Sequence, residues 1–394
     1  MRAFLKLLAP LLILAAVTVN GVLTVAGWES ESKLDENRAL ASAPEWTGNV
    51  DQFVRALDAW LTDHFYFRKA LVSEFNEFLY THFRSTLARN VVVGSGPWIF
   101  GAEFDGQRSV APRQLSDEYK AKVKRALIER RAWLKERGID MIVLFMPTKA
   151  AIYGNRYLPA SWRFDPNFPT ESEQVYEELA DTMPESFVRV REVMQKASAS
   201  ANLYYYSDPH ATQLGTFVAF QELETHIRKY FPEKAPSLYP PHTLKVDYYQ
   251  PTAYGRMMGL SFKEESLVPV PEGGYRFVSP EPPEAAKQLP AGARLTYYEN
   301  DQVRDVSAAL IGDSFTNRMS AIFGVVFRRS AVVNVNNVSN DPAAKFPAAF
   351  LDAYRPDFAV FMYVESRLVE CPVGCGEFPI ENPPAVSRHA IALQ

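Results

Sequence analysis

The stretch SDEYKAKVKRALIERRAWLKERGIDMIVLF, residues 116–145, decides the fold class. Its first part is a strongly charged helical pattern opened by Ser116-Asp117-Glu118, which predicts a helix over 116–137 with a capping side chain at its start. Gly138 stands where a helix C-terminal cap belongs, and Ile139 to Phe145 then runs as an apolar, β-rich segment. Helix, glycine and buried strand in that order are the rhythm of an α/β protein built on a parallel sheet flanked by helices.

Working outward, a second round is predicted as helix over Thr170–Ala199 followed by a strand at Asn202–Tyr206. Further strands are predicted at Val306–Ile311 and Asp357–Val364. Between these rounds prolines become frequent, from Pro232 to Pro290, and short aromatic or valine runs alternate with turns. That composition predicts a β-rich insertion at about 232–300. Towards the N-terminus, Asn90–Val93 and Trp98–Phe100 flank a Gly-Pro turn and predict a β-hairpin. Before it, Asn49–Phe83 repeats apolar residues at helical spacing, predicting one or two amphipathic helices whose apolar faces find a core. The aromatic run Asp63-His64-Phe65-Tyr66-Phe67-Arg68 reads as the junction between them.

The composition sets limits around this frame. A chain of 394 residues, 47% hydrophobic and 22% charged, is globular rather than disordered. Its 42 basic and 46 acidic residues give a net charge of −4 without a basic stripe, which argues against nucleic acid as a partner. Leu7 to Trp28 carries no charge and is long enough to cross a bilayer. Arg2 and Lys6 precede it while Glu29, Glu31, Asp35 and Glu36 follow, so the expected topology is a retained transmembrane helix over residues 1–28 with the rest extracytoplasmic. The alternative is a signal peptide cleaved after Thr24-Val25-Ala26. Residues 29–89 then form a linker with the amphipathic helices, and 90–394 the main α/β body. The two cysteines, Cys371 and Cys375, suit a small-loop disulfide in an oxidising compartment, whereas a zinc site would find only His389 nearby. No metal and no cofactor is called for.

Chemistry concentrates at two segments that follow predicted strands. In Leu310-Ile311-Gly312-Asp313-Ser314-Phe315-Thr316, a serine stands at a strand-to-helix turn, where free backbone N–H groups can hold an oxyanion. Taken alone, Asp313 or Ser314 could simply cap the helix. In Ser207-Asp208-Pro209-His210, residues two apart on extended chain share a side, so Asp208 can orient His210 as a base. The chain has six histidines, and the others lie in amphipathic helices, after a proline turn or in the tail.

Taken together, these motifs resemble the SGNH hydrolase-like O-acetyltransferases of the AlgJ/AlgX type, which act on alginate and related exopolysaccharides. The resemblance runs in order through Asn37-Arg38-Ala39-Leu40, Asp63–Arg68, the Val92–Phe100 hairpin, Pro147-Thr148-Lys149 with Tyr153, Asp208-x-His210, Gly312-Asp313-Ser314-Phe315, and Arg355-Pro356-Asp357 leading to Glu365 and Arg367. It implies Ser314 as nucleophile, His210 as general base and Asp208 as its orienting carboxylate. It also implies a polysaccharide acceptor, a membrane-bound O-acyltransferase as the acetyl-donor partner, further exopolysaccharide biosynthesis proteins around it, and a periplasmic location on the inner membrane. The family usually has Trp after the histidine, where this chain has Ala211. The short tail after Val364 fits the AlgJ-like arrangement, which lacks a C-terminal carbohydrate-binding module. Lys149, Arg318 and Arg367 are candidate substrate contacts, and the Ser314 amide with Asn337 or Asn336 candidate oxyanion donors. Two other functions share these residues: an esterase removing acetyl groups from a polysaccharide, and a non-catalytic polysaccharide-binding or assembly scaffold.

Overall fold

The computed structural model describes residues 15, 18–19, 21–24, 26, 40–104, 107–108, 111–250, 253–338 and 345–368. Most of the run 7–28, as well as Cys371, Cys375 and His389, falls outside them, so the transmembrane and disulfide expectations do too. Among the described residues no helix is long and apolar enough to cross a membrane.

The opening stretch folds as its pattern predicts. Ser116 caps the helix Asp117–Lys135 by accepting the Tyr119 amide at 3.1 Å, and Gly138 turns the chain at φ +72°. The strand β1, Asp140–Met146, follows and is buried on both faces. It joins β2 (Phe187–Val188), β3 (Arg294–Glu299), β4 (Ser307–Gly312), β5 (Arg329–Asn334) and β6 (Phe358–Val364) in a six-stranded sheet of order β2-β1-β6-β4-β5-β3.

Alternating side chains divide between two cores. Ile142, Leu144, Leu310, Val332, Val360 and Met362 face one side, where the helices Gln213–Tyr230 and Thr316–Val326 cover them with Phe217, Phe220, Phe323 and neighbours. Val143, Phe145, Ile311, Val333 and Phe361 face the other, under the helices Asp117–Lys135, Glu171–Leu179 and Ala348–Tyr354. Burial on both faces explains why the central strands read as unbroken apolar runs.

Apart from the predicted helix Thr170–Ala199, which divides into Glu171–Leu179 and Arg191–Ala197 around β2, and the additional strand β5, the structure departs from the sequence reading in four places. The sheet is mixed rather than wholly parallel, because β3 runs antiparallel to β5 at the edge. Consequently the excursion does not extend to residue 300: its last segment, Arg294–Glu299, returns to the body, its charged residues suited to an exposed edge. The rest of the excursion is built on a two-stranded ribbon, His242–Tyr249 with Glu264–Pro271, and the short helix Ala253–Met258.

Thirdly, Asn202–Tyr206, expected as a strand, makes only an isolated bridge, Tyr204 to Ala211, and β2 is the strand that pairs with β1 at that end of the sheet. Tyr204 and Tyr205 are buried, which is the signal that mimicked a strand. Their backbone polar groups find other partners, described below. Finally, the helices Val50–His64 and Arg68–Phe83 form as predicted, but only Asn76 is fully buried on them. The second docks through Asn76 Nδ2, which donates to the Met258 carbonyl at 2.8 Å, and through Tyr80 against Phe262, while Leu71, Phe75, Phe78 and Phe83 stay exposed.

Candidate active site

Two chain turns meet at the carboxyl end of the sheet, the usual place for a site in an open α/β fold. The first leaves β4 at Gly312, where the chain passes so close to β6 that a Cβ would come within 1.7 Å of the Met362 carbonyl oxygen. Only glycine fits that approach. Asp313 then fastens the turn, accepting the Phe315 amide at 2.9 Å on one oxygen and the Val364 amide at 2.8 Å on the other. Ser314 follows, half-buried, two residues before the helix Thr316–Val326 begins. No acceptor for its amide is found among the described residues, which leaves that N–H able to meet an oxyanion.

The second turn carries Asp208 and His210. His210 Nδ1 lies 2.6 Å from Asp208 Oδ1, and His210 Nε2 lies 2.7 Å from Ser314 Oγ. Asp208 also accepts the His210 amide at 3.0 Å and, on its other oxygen, the Ala253 amide at 3.3 Å. Burial pushes the Asp208 carboxyl up, but the hydrogen bonds and charge of His210 outweigh it and hold it down at about 2. An ionised Asp208 has no proton to give, so Nδ1–H is the donor and Nε2 is left to accept the Ser314 hydroxyl proton. The three residues singled out from sequence are therefore in contact as one relay. His210 stays 23% exposed and Asp208 only 2%, so the imidazole can be reached from solvent while the carboxylate beside it is shielded. Ala211 is fully buried and pairs with Tyr204, so this position serves packing.

The remaining candidates divide. Arg318, one helical turn past Ser314, lies over the Tyr249 ring at 4.3 Å and donates to Tyr205 Oη at 3.4 Å. Lys149 is not a surface contact for substrate: it is buried, and its Nζ donates to the carbonyls of Tyr205, Tyr206 and Asp208 at 3.1, 3.1 and 3.0 Å. Arg367 sits beside buried Asp313 at 3.9 Å and donates to Asn336 Oδ1 at 3.4 Å, so its charge is engaged in the protein. Asn336 and Asn337 are exposed in the turn after β5, and the Asn337 carbonyl packs against Gly292. Asn334, at the end of β5 beside Gly312, instead reaches the helix that follows Ser314 by donating to Asn317 Oδ1 at 3.2 Å. Sequence reasoning missed Asn334 because it closes a strand that reasoning did not identify. Among the described residues no cluster of three or more His, Cys, Asp or Glu could hold a metal ion.

Glu365 directly follows β6 and is buried, accepting the Thr148 amide at 2.7 Å and the Ser172 hydroxyl at 2.9 Å. Burial first, and then the nearby Glu171 carboxylate, raise it from 4.5 to about 7. Folded Glu365 thus keeps a proton that the unfolded chain releases near 4.5, so the fold loses stability as pH rises across that interval, by on the order of 3 kcal/mol. The isosteric variant Glu365→Gln removes this dependence. In thermal melts it is expected to match the parent near pH 5 and to exceed it above pH 7; parallel pH profiles would refute the assignment.

Residues 91–357, more than half of the chain, match the sequence family described as the SGNH hydrolase-like domain of acetyltransferase AlgX. No curated protein matches at the level of sequence. Among solved structures, Bacillus cereus PatB1 superposes with a TM-score of 0.50 at 13% identity, covering 71% of this chain and 97% of that one, which shows a shared fold. The O-acetyltransferase domain of Pseudomonas putida AlgJ gives 0.45 at 17% identity, covering 77% and 97%, and Pseudomonas aeruginosa AlgX gives 0.41 at 14%, covering 75% and 65%. The chain belongs to the family of SGNH hydrolase-like domains of the AlgX acetyltransferase type.

Proposed function

We propose that this protein is an O-acetyltransferase acting on an extracytoplasmic polysaccharide of the alginate kind, through an acetyl-serine intermediate. The observation that carries the reading is the relay Asp208–His210–Ser314, with contacts of 2.6 and 2.7 Å at a helix N-terminus. Ser314 Oγ attacks the acetyl carbonyl while its proton passes to His210 Nε2, and the Ser314 amide meets the oxyanion. The imidazolium formed beside Asp208 then protonates the departing donor group. A sugar hydroxyl next gives its proton to Nε2 and attacks the acetyl-serine, and collapse returns the proton to Ser314 Oγ.

The uncharged run Leu7–Trp28 supports a membrane anchor with the body in the periplasm. An acetyl group drawn from the cytoplasm would then reach the site by way of a membrane-bound O-acyltransferase, in company with other exopolysaccharide biosynthesis proteins. Arg318 is the acceptor contact in this reading. Its guanidinium pairs with no carboxylate among the described residues and is held over Tyr249, one turn from Ser314, where it can meet an acidic sugar.

The test incubates the protein with an activated acetyl ester, with and without acidic oligosaccharides, and follows the products by mass spectrometry. Acetyl on the sugar and transiently on Ser314 supports the transferase. Acetate released at the same rate whatever the sugar makes the protein an esterase, and absence of serine-dependent turnover leaves a scaffold. Arg318→Met is expected to raise KM for the acidic acceptor about 10-fold, the equivalent of one charge-assisted hydrogen bond, with hydrolysis of the ester within about twofold. An unchanged acceptor KM removes Arg318 from that role.

A further inference from the structure

The backbone between Tyr205 and Ser207 is held in a way that the relay alone does not require. Lys149 Nζ donates to the Tyr205 carbonyl at 3.1 Å, while the amide of the same peptide unit, on Tyr206, donates to Glu264 Oε2 at 2.7 Å. The next unit repeats the pattern: the Tyr206 carbonyl accepts from Lys149 at 3.1 Å and the Ser207 amide donates to Glu264 Oε1 at 2.9 Å. Two consecutive peptide planes thus lie between an ammonium and a carboxylate, each dipole aligned with the field between them. The Ser207 hydroxyl adds a further bond to Glu264, and Lys149 a third donation, to the Asp208 carbonyl at 3.0 Å. Both charged residues are buried, Lys149 to 4% exposure and Glu264 to 2%.

We infer that Lys149 and Glu264 are positioning residues which clamp the Tyr205–Asp208 backbone and thereby fix Asp208 and His210 against Ser314. The inference rests on the proposed acyl-transfer role of that relay. Lys149 opens the helix Lys149–Tyr157, one residue after the Thr148 cap, whereas Glu264 comes from the ribbon of the excursion. The amide of Ala253, which bonds Asp208 Oδ2, comes from the same excursion. The excursion is therefore part of the catalytic machinery's support rather than an appendage. Neither charge can be removed alone without stranding the other in a buried site, which couples the two residues through the backbone they share.

The test compares the full-length parent in detergent with Glu264→Gln, Lys149→Met, the double variant and Ser314→Ala. Two readouts are needed: amide hydrogen exchange, and kcat and KM for an activated acetyl ester. Glu264→Gln is expected to speed exchange at the Tyr206 and Ser207 amides by about 10-fold or more, with β4 and the helix Thr316–Val326 unchanged. Displacement of the base is expected to lower kcat by about 100-fold with KM within about twofold. Lys149→Met acts in the same direction, and the double variant falls no further than the worse single one. Singles that fold, keep local protection and retain kcat within twofold overturn the clamp. If they fail to fold, Ser207→Ala decides: it is expected to speed local exchange and lower kcat by about 3-fold, as the loss of one hydrogen bond of about 0.7 kcal/mol would, and no change in either overturns the clamp. If Ser314→Ala turns over like the parent, the acyl-transfer reading fails instead, and local exchange alone judges the clamp.

Discussion

Ser314→Ala is expected to lower kcat for acetyl transfer by about 10⁴- to 10⁶-fold, leaving KM for donor and acceptor nearly unchanged. The size follows from what the hydroxyl does. In the proposed reaction its oxygen forms the covalent bond to acetyl, so no other group in the relay can replace it, and the residual rate would come from the oxyanion donor and binding alone. The fold should not register the change. Ser314 is half-buried, its side-chain hydrogen bond goes to His210 Nε2, and the turn is held by Asp313 through two backbone amides. Thermal midpoints should therefore coincide, and intact-mass spectra should show acetyl-protein in the parent but not in the variant. A variant that keeps a tenth of parental turnover, or that still acquires acetyl, removes Ser314 from the role of nucleophile.

The site was more legible in the sequence than the elements that carry it. Gly312-Asp313-Ser314 could be read because its local demands, a tight approach and a helix start, are written in consecutive residues. Asp208-x-His210 could be read because two residues on one side of extended chain need no tertiary information to meet. What holds the second segment was not legible. Tyr204 and Tyr205 are buried, as a sheet strand would be, yet the Tyr205 carbonyl accepts from Lys149, the Tyr205 amide donates to the His210 carbonyl and Tyr204 bridges to Ala211. Burial alone does not say whether a ladder or a side chain satisfies the peptide groups. Glu264 carries no local signal, since nothing in its ribbon announces the Tyr206 and Ser207 amides 57 to 58 residues away. β2 was missed for a simpler reason: two residues, Phe187 and Val188, are too short to show a period. The central strands β1, β4 and β6 were found because burial on both faces makes their composition unambiguous.

Asp208→Asn is the sharper probe of the relay, because it keeps size and shape while removing a charge. Asp208 accepts three hydrogen bonds, from His210 Nδ1, the His210 amide and the Ala253 amide, the first two on one oxygen. An asparagine oxygen can keep the two His210 contacts or the Ala253 amide but not both, since these lie on opposite carboxylate oxygens; turned to Ala253, the side chain presents its NH₂ to the imidazole. Facing an NH₂, Nδ1 becomes the acceptor, Nε2 carries the proton, and the Ser314 hydroxyl loses its base. A fall in kcat of about 10⁴-fold is expected, with KM little changed. Stability offers an independent check. Burial opposes the Asp208 charge, but His210 outweighs it and brings the group from 3.8 to about 2. A carboxyl depressed in the fold stabilises it above its unfolded value and loses that contribution as pH falls through the folded one, here across about pH 4 to 2. The variant should therefore be less stable than the parent by about 2 kcal/mol at neutral pH, and the gap should close towards pH 2. A kinetic loss without that pH-dependent gap would mean that Asp208 fixes the tautomer without an ionic hold on His210. A stability gap with kcat retained would mean that Ser314 draws on another base.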